Sequence, residues 1–166
     1  MKIRAAILTV SDKASAGLRE DASGPAIAEC LKGIEHEVIW SGVVPDERKE
    51  ISARLLALCD QLGADVVLTT GGTGLAPRDV TPEATMDVAD KTVPGIAEAM
   101  RVQSAAKAPR SMLSRGVAVV RGRTLIVNFP GSPKAVRECM EVLLPVLGHA
   151  VEVMKGDVTE CAQPGR

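Results

Sequence analysis

The chain has 166 residues, of which 46% are apolar and 25% charged, with a formal net charge of −1. That length suits one domain with a core of its own, and the near-neutral balance excludes a global field for nucleic acid or an anionic membrane. Trp40 and Phe129 are the sole aromatics, so the core must be largely aliphatic and stacking of a flat ring ligand cannot rest on an aromatic cage.

Residues 3–10 (Ile-Arg-Ala-Ala-Ile-Leu-Thr-Val) read as a first strand that ends at Ser11-Asp12. A polar, glycine-bearing loop is expected over 13–24, then a helix over 25–32 with Ile27, Ala28 and Leu31 on one face and Gly33 as its stop. Residues 36–44 make a second strand. Pro45-Asp46 turns into a long amphipathic helix carrying Ile51, Leu55, Leu58 and Leu62 at helical spacing, closed by Gly63. The run 64–70, rich in Val, Leu and Thr, reads as a buried parallel strand.

That strand empties into Gly71-Gly72-Thr73-Gly74. Arg78-Asp79 follows, and Thr81-Pro82 opens a helix with an expected N-cap oxygen and a proline at the first helical position. A further helix is expected over 94–107. Residues 117–120 and 124–128 flank Arg121-Gly122-Arg123 and read as a hairpin, so part of the sheet should be antiparallel. Ser132 and Pro133 are expected to cap and start the last helix. Strands alternating with helices predict a three-layer α/β/α sandwich, mostly parallel, over 1–156, with a polar tail over 157–166. The chain is expected to open on a strand rather than a secretory leader, and no apolar run approaches the about 20 residues of a membrane helix. Four dispersed cysteines without a CxxC pair fit free thiols in a reducing cytoplasm.

In open α/β sheets, ligands bind beyond the carboxyl ends of the strands. Those ends deliver Ser11 and Asp12, Asp46, the glycine loop with Asp79, and Asn128 with Pro130, Gly131 and Ser132. Glycines let successive backbone amides form a concavity for an anion. Alone, Asp46 would cap a helix and Asp79 would be a turn residue. Beside an anion cradle, the two carboxylates form a candidate Mg²⁺ site of the kind completed by substrate phosphates. The loop has neither the Gly-Lys-Ser/Thr tail of a P-loop nor GxGxxG spacing. Eight basic residues and no acid lie between Arg101 and Arg137, either a solvated face or a cationic rim for an anionic ligand. His36 and His149 stand alone, and Ser114 by itself is a loop residue.

Taken in order, these blocks resemble the family of molybdenum cofactor biosynthesis proteins, in the branch that adenylylates molybdopterin. The resemblance runs from Thr9-Val10-Ser11-Asp12 through Pro45-Asp46-Glu47. It continues through 69–74 and Arg78-Asp79-Val80-Thr81-Pro82-Glu83, then Pro94-Gly95, Leu113-Ser114-Arg115 and residues 128–135. It implies a trimeric subunit that moves AMP from Mg·ATP to the terminal phosphate of molybdopterin, releasing pyrophosphate. A hand-off to a molybdate-inserting protein would follow.

The resemblance puts the essential acidic pair on Asp46 and Asp79. Substrate contacts fall on Ser11, Asp12, Gly71, Gly72, Thr73, Gly74, Ser114, Asn128, Pro130, Gly131, Ser132 and Lys134. Lys134, with one or more of Arg78, Arg110 and Arg115, would balance the pterin phosphate. The chain departs from the pattern in its short C-terminal region and in Ile96, where relatives often carry an aromatic residue. The alternative activity is a non-catalytic molybdopterin carrier of the same fold.

Overall fold

The computed structural model describes residues 1–156; the expected polar tail and Cys161 lie outside the described residues. Six strands, β1 (Ile3–Val10), β2 (His36–Val44), β3 (Val66–Thr70), β4 (Lys91–Thr92), β5 (Ala118–Arg121) and β6 (Thr124–Phe129), form one sheet. Its order is β2-β1-β3-β6-β5-β4. The first four strands in that order run parallel, whereas β5 and β4 run antiparallel to their neighbours. Beyond the 118–129 hairpin, the antiparallel part includes the two-residue β4, too short to leave a periodic signal.

Side chains alternate across the sheet because strand residues point to opposite faces. One face of β1 carries Ile3, Ala5 and Ile7, which pack with Val66, Leu68, Val127 and Phe129 against α2 (Ser23–Leu31), α5 (Pro94–Lys107) and α6 (Pro133–Lys155). The other carries Ala6, Leu8 and Val10, which pack with Val67 and Ile126 against α3 (Arg48–Leu56) and α4 (Thr81–Met86). Each fully buried Leu or Ile contributes about 1.5–3 kcal/mol, so a mainly aliphatic core with Phe129 as its one buried aromatic suffices. The three-layer α/β/α sandwich stands as expected from sequence. Among the described residues, no helix is long and apolar enough to cross a membrane.

Several local expectations need correction. The loop over 13–24 opens with a single helical turn, α1 (Asp12–Ser15), capped by the Ser11 hydroxyl accepting from the Ala14 amide. Helix α2 starts at Ser23, two residues early. The Asp21 carboxylate accepts from the Gly24 amide at 3.0 Å and from the Thr9 hydroxyl at 2.8 Å, which satisfies an early amide of the helix. Strand β3 begins at Val66, and the long second helix ends as a π-helical turn over Ala57–Gln61. Thr81 does not cap α4 with its side chain. Its hydroxyl is buried and donates to the Gly71 carbonyl at 2.9 Å. Ser132 does cap α6, accepting from the Ala135 amide.

Candidate active site

Strand order reverses around β1, whose neighbours β2 and β3 follow on opposite sides. This is the switch point where an open α/β sheet leaves a crevice above its strand ends. A cavity of about 350 Å³ occupies that position, lined among others by Ser11, Asp21, Asp46, Gly71, Gly72 and Asp79. A second, of about 640 Å³, lies on the other side of the glycine loop, against Thr73, Gly74, Arg110, Ser114 and Ser132. Gly72, Asp79 and Gly131 line both. Two polyanions could thus approach one another across a shared wall.

The loop backbone explains its composition. Gly71 and Gly72 have φ of 95° and 66°, a region that non-glycine residues enter at a cost. A Cβ on Gly72 would lie 3.1 Å from Asp46 Oδ1, and one on Gly74 would lie 2.7 Å from Asp79 Oδ2. Both carboxylates therefore rest against the same short loop, two residues apart. Gly131 packs on it from a third side, 3.5 Å from the Gly71 Cα to where its own Cβ would be.

Asp46 and Asp12 exchange reciprocal bonds: the Asp12 amide donates to Asp46 Oδ2 at 2.8 Å, and the Asp46 amide donates to Asp12 Oδ1 at 3.0 Å. The pair knits the ends of β1 and β2 together, so Asp46 is held by tertiary contact rather than by capping α3. Burial, followed by the neighbouring charges of Asp12 and Asp79, pushes the Asp46 carboxyl above its usual range. Asp12 moves the other way because the Arg78 guanidinium bonds it. Asp79 accepts from the Ala76 amide at 2.9 Å, which fixes its carboxylate within its own turn.

Of the three arginines among which one or more were expected to balance a ligand phosphate, Arg78 and Arg115 are bound to the protein. Arg78 bonds Asp12 at 2.6 and 3.0 Å and Glu47 at 2.8 Å. Arg115 pairs with Glu83 and reaches the carbonyls of Gly74 at 2.8 Å and Asp79 at 2.6 Å. Their carboxylate partners lie 31 to 66 residues away along the chain, a pairing that sequence spacing does not disclose. Arg110 is exposed at the larger cavity, and Lys134 is exposed on the first turn of α6.

Asn128 turns inward, 1% exposed. Its amide nitrogen donates to the Thr69 and Thr85 hydroxyls at 2.9 and 3.0 Å, and its oxygen accepts from the Val117 amide. It therefore braces β6 against β3, α4 and the start of the hairpin, and both of its side-chain N–H donors are used there. The carbonyl of Pro130 accepts from the Thr70 hydroxyl at 2.7 Å, tying the 130–132 turn to β3. Sequence reasoning did not single out Asp21, although the Asp-Ala-Ser-Gly run before a helix is a capping signal. Glu83 lies in the Arg78–Glu83 motif, whose spacing does not disclose its pairing with Arg115.

Among the described residues, no group of three or more His, Cys, Asp and Glu side chains could hold a metal ion. The described residues therefore build no permanent metal cage. The Asp46–Asp79 pair still suits Mg²⁺ arriving with phosphate oxygens. The donors are hard carboxylate oxygens, and Asp46 sits where burial, and after it neighbouring negative charge, disfavours its ionised form unless a cation is near.

Comparison with known proteins places this geometry in a family. A family model described as a probable molybdopterin binding domain matches residues 6–149. The molybdopterin adenylyltransferase of Helicobacter pylori strain 26695 is 43% identical over 157 residues, spanning 93% of this chain and 89% of that protein. The enzyme of the same name from Escherichia coli K12 is 41% identical over 151 residues, spanning 90% and 77%. Among solved structures, the molybdopterin biosynthesis enzyme MoaB of Thermus thermophilus superposes with a TM-score of 0.89 at 53% identity, covering 93% of this chain and 97% of that one. The chain belongs to the molybdopterin-binding domain family of molybdenum cofactor biosynthesis proteins.

Proposed function

We infer that this protein transfers AMP from ATP to the terminal phosphate of molybdopterin, releasing pyrophosphate. An oxygen of the pterin phosphate attacks the α-phosphorus of ATP, and the bond from that phosphorus to the bridging oxygen of the β-phosphate breaks. Catalysis consists of bringing two polyanions together and neutralising their charge. The single observation that carries the reading is the pair Asp46 and Asp79 set against one glycine loop at the wall shared by two cavities. The names of the relatives agree with it.

Asp46 and Asp79 are the residues proposed to hold Mg²⁺, which when bound offsets charge on the triphosphate. Asp79 also orients the attacking phosphate, and the amides of the glycine loop with the Thr73 hydroxyl receive phosphate oxygens. Ser11, Asp12, Ser114 and the 130–132 turn border the ligands. Arg110 and Lys134 are the cations proposed to face phosphate, since Arg78 and Arg115 are already paired within the protein. A homotrimer, a cytoplasmic setting and a hand-off to a molybdate-inserting protein belong to the same reading and rest on the family resemblance. Sedimentation would test the trimer.

Incubation with molybdopterin and Mg·ATP tests the activity. Adenylylated pterin and pyrophosphate should appear in equal amounts. Tight pterin binding with neither product would instead identify a carrier.

A further inference from the structure

The carbonyls of four consecutive peptide units in the glycine loop are all taken by the protein. Thr81 takes two: its hydroxyl donates to the Gly71 carbonyl at 2.9 Å and its amide to the Gly72 carbonyl at 3.1 Å. Arg115 takes the next two: its amide donates to the Thr73 carbonyl at 2.8 Å and its Nε to the Gly74 carbonyl at 2.8 Å. In a trans peptide the N–H points opposite to the C=O of the same plane, and no cis peptide bond occurs among the described residues. Each carbonyl so held turns the following amide away from its hook. Those amides belong to Gly72, Thr73, Gly74 and Leu75. None of the four donates a hydrogen bond to any described residue. The larger cavity is lined by the same four residues.

We propose that Arg115 and Thr81 are positioning residues that hold these four amides outward as a receptor for a phosphate group. The assignment rests on the adenylyl-transfer reading for its biological ligand. Arg115 never touches the ligand. Its guanidinium charge is balanced by Glu83, whose carboxyl it holds below the usual range, and Nη2 anchors the far end of the turn through the Asp79 carbonyl. The arginine serves as a rigid fork across the loop, a geometry that a lysine ammonium cannot reproduce.

The test separates orientation from charge and from folding. The double variant Arg115→Met/Glu83→Gln leaves net charge unchanged and orphans no carboxylate. Thr81→Val exchanges the hydroxyl for a methyl group, losing the bond to the Gly71 carbonyl and keeping the amide bond to Gly72. The probe is inorganic pyrophosphate, followed by calorimetry beside AMP transfer and thermal melting. In both variants pyrophosphate affinity should fall about tenfold, the loss of roughly one amide bond to an anion. In both, kcat/KM should fall about 100-fold, as expected when reacting groups shift by an ångström. Melting should stay within about 4 °C. If the double variant melts early, Thr81→Val decides on the same two readouts.

Unchanged pyrophosphate affinity in the folded variants would overturn the assignment, whatever happens to turnover. Weakened pyrophosphate binding in a protein whose wild type transfers no AMP would instead keep the positioning role and refute the adenylyl-transfer reading.

Discussion

Substituting Gly74 by alanine should separate activity from stability within one loop. The Cβ would lie 2.7 Å from Asp79 Oδ2 and ordinary contact begins at 3.4 Å, so the carboxylate must retreat by about 0.7 Å. Gly74 lies outside the positive-φ region, so no backbone strain is added, and the atom met is the end of a side chain. The structural cost is at most the bond from the Ala76 amide to Asp79, about 1 kcal/mol, or about 2–4 °C in Tm. AMP transfer, by contrast, should drop about 100-fold, because a displacement of that size removes a catalytic group from its working geometry.

Gly71→Ala is the control. Its φ is 95° and its Cβ would meet the Val10 carbonyl oxygen at 2.2 Å, which only backbone movement relieves. That adds about 1–2 kcal/mol of conformational strain to about 1–3 kcal/mol of overpacking, so this variant should melt far below wild type. Calorimetric melting and initial-rate assays on both proteins check the contrast. A Gly74→Ala enzyme with full activity would refute the assignment of Asp79, and one as unstable as Gly71→Ala would refute the packing argument.

Other consequences can be checked with the same assays. Asp46→Asn should melt at or above wild type at neutral pH while losing AMP transfer. The folded state raises the carboxyl of Asp46, so its ionisation opposes folding and that penalty vanishes as pH falls through the raised value; a variant less stable at neutral pH would contradict this. Asp12 and Glu83 have the opposite sign. Their carboxyls are lowered by Arg78 and Arg115, so the stability they contribute is present above the ordinary carboxylate range and fades as pH drops through the lowered values. Melting followed from neutral to acid pH should therefore be less acid-sensitive in Arg78→Met than in wild type. Asn128→Ala should cost about 1–3 kcal/mol, because it strips partners from the Val117 amide and from two buried hydroxyls; melting near wild type would show the brace to be dispensable. Chelation of Mg²⁺ should stop AMP transfer without moving Tm, since no described cluster forms a structural metal site.

Much of the fold could be read locally. Apolar runs marked β1, β3 and β6, the Arg-Gly-Arg turn marked the hairpin, and Ser132-Pro133 marked the start of α6. The glycine loop and both carboxylates were legible because strand ends in this topology converge on one edge. What failed was any feature decided by a distant partner. Thr81-Pro82 has the look of a cap, yet the Gly71 carbonyl takes the hydroxyl. The partners of Arg78 and Arg115, which are Asp12, Glu47 and Glu83, meet them only in space. The reciprocal Asp12–Asp46 bonds, spanning 34 residues, likewise leave no trace in spacing. Pairing at long range depends on register and loop course, which no local pattern encodes.

Metal-dependent ATP binding tests the central claim most directly. Calorimetric titration of wild type, Asp46→Asn and Asp79→Asn with ATP, each with and without Mg²⁺, isolates the contribution of the two carboxylates. Wild type should gain affinity when Mg²⁺ is present, and both variants should lose that gain while still binding molybdopterin. Equal Mg²⁺-dependent affinity in all three proteins would contradict the account.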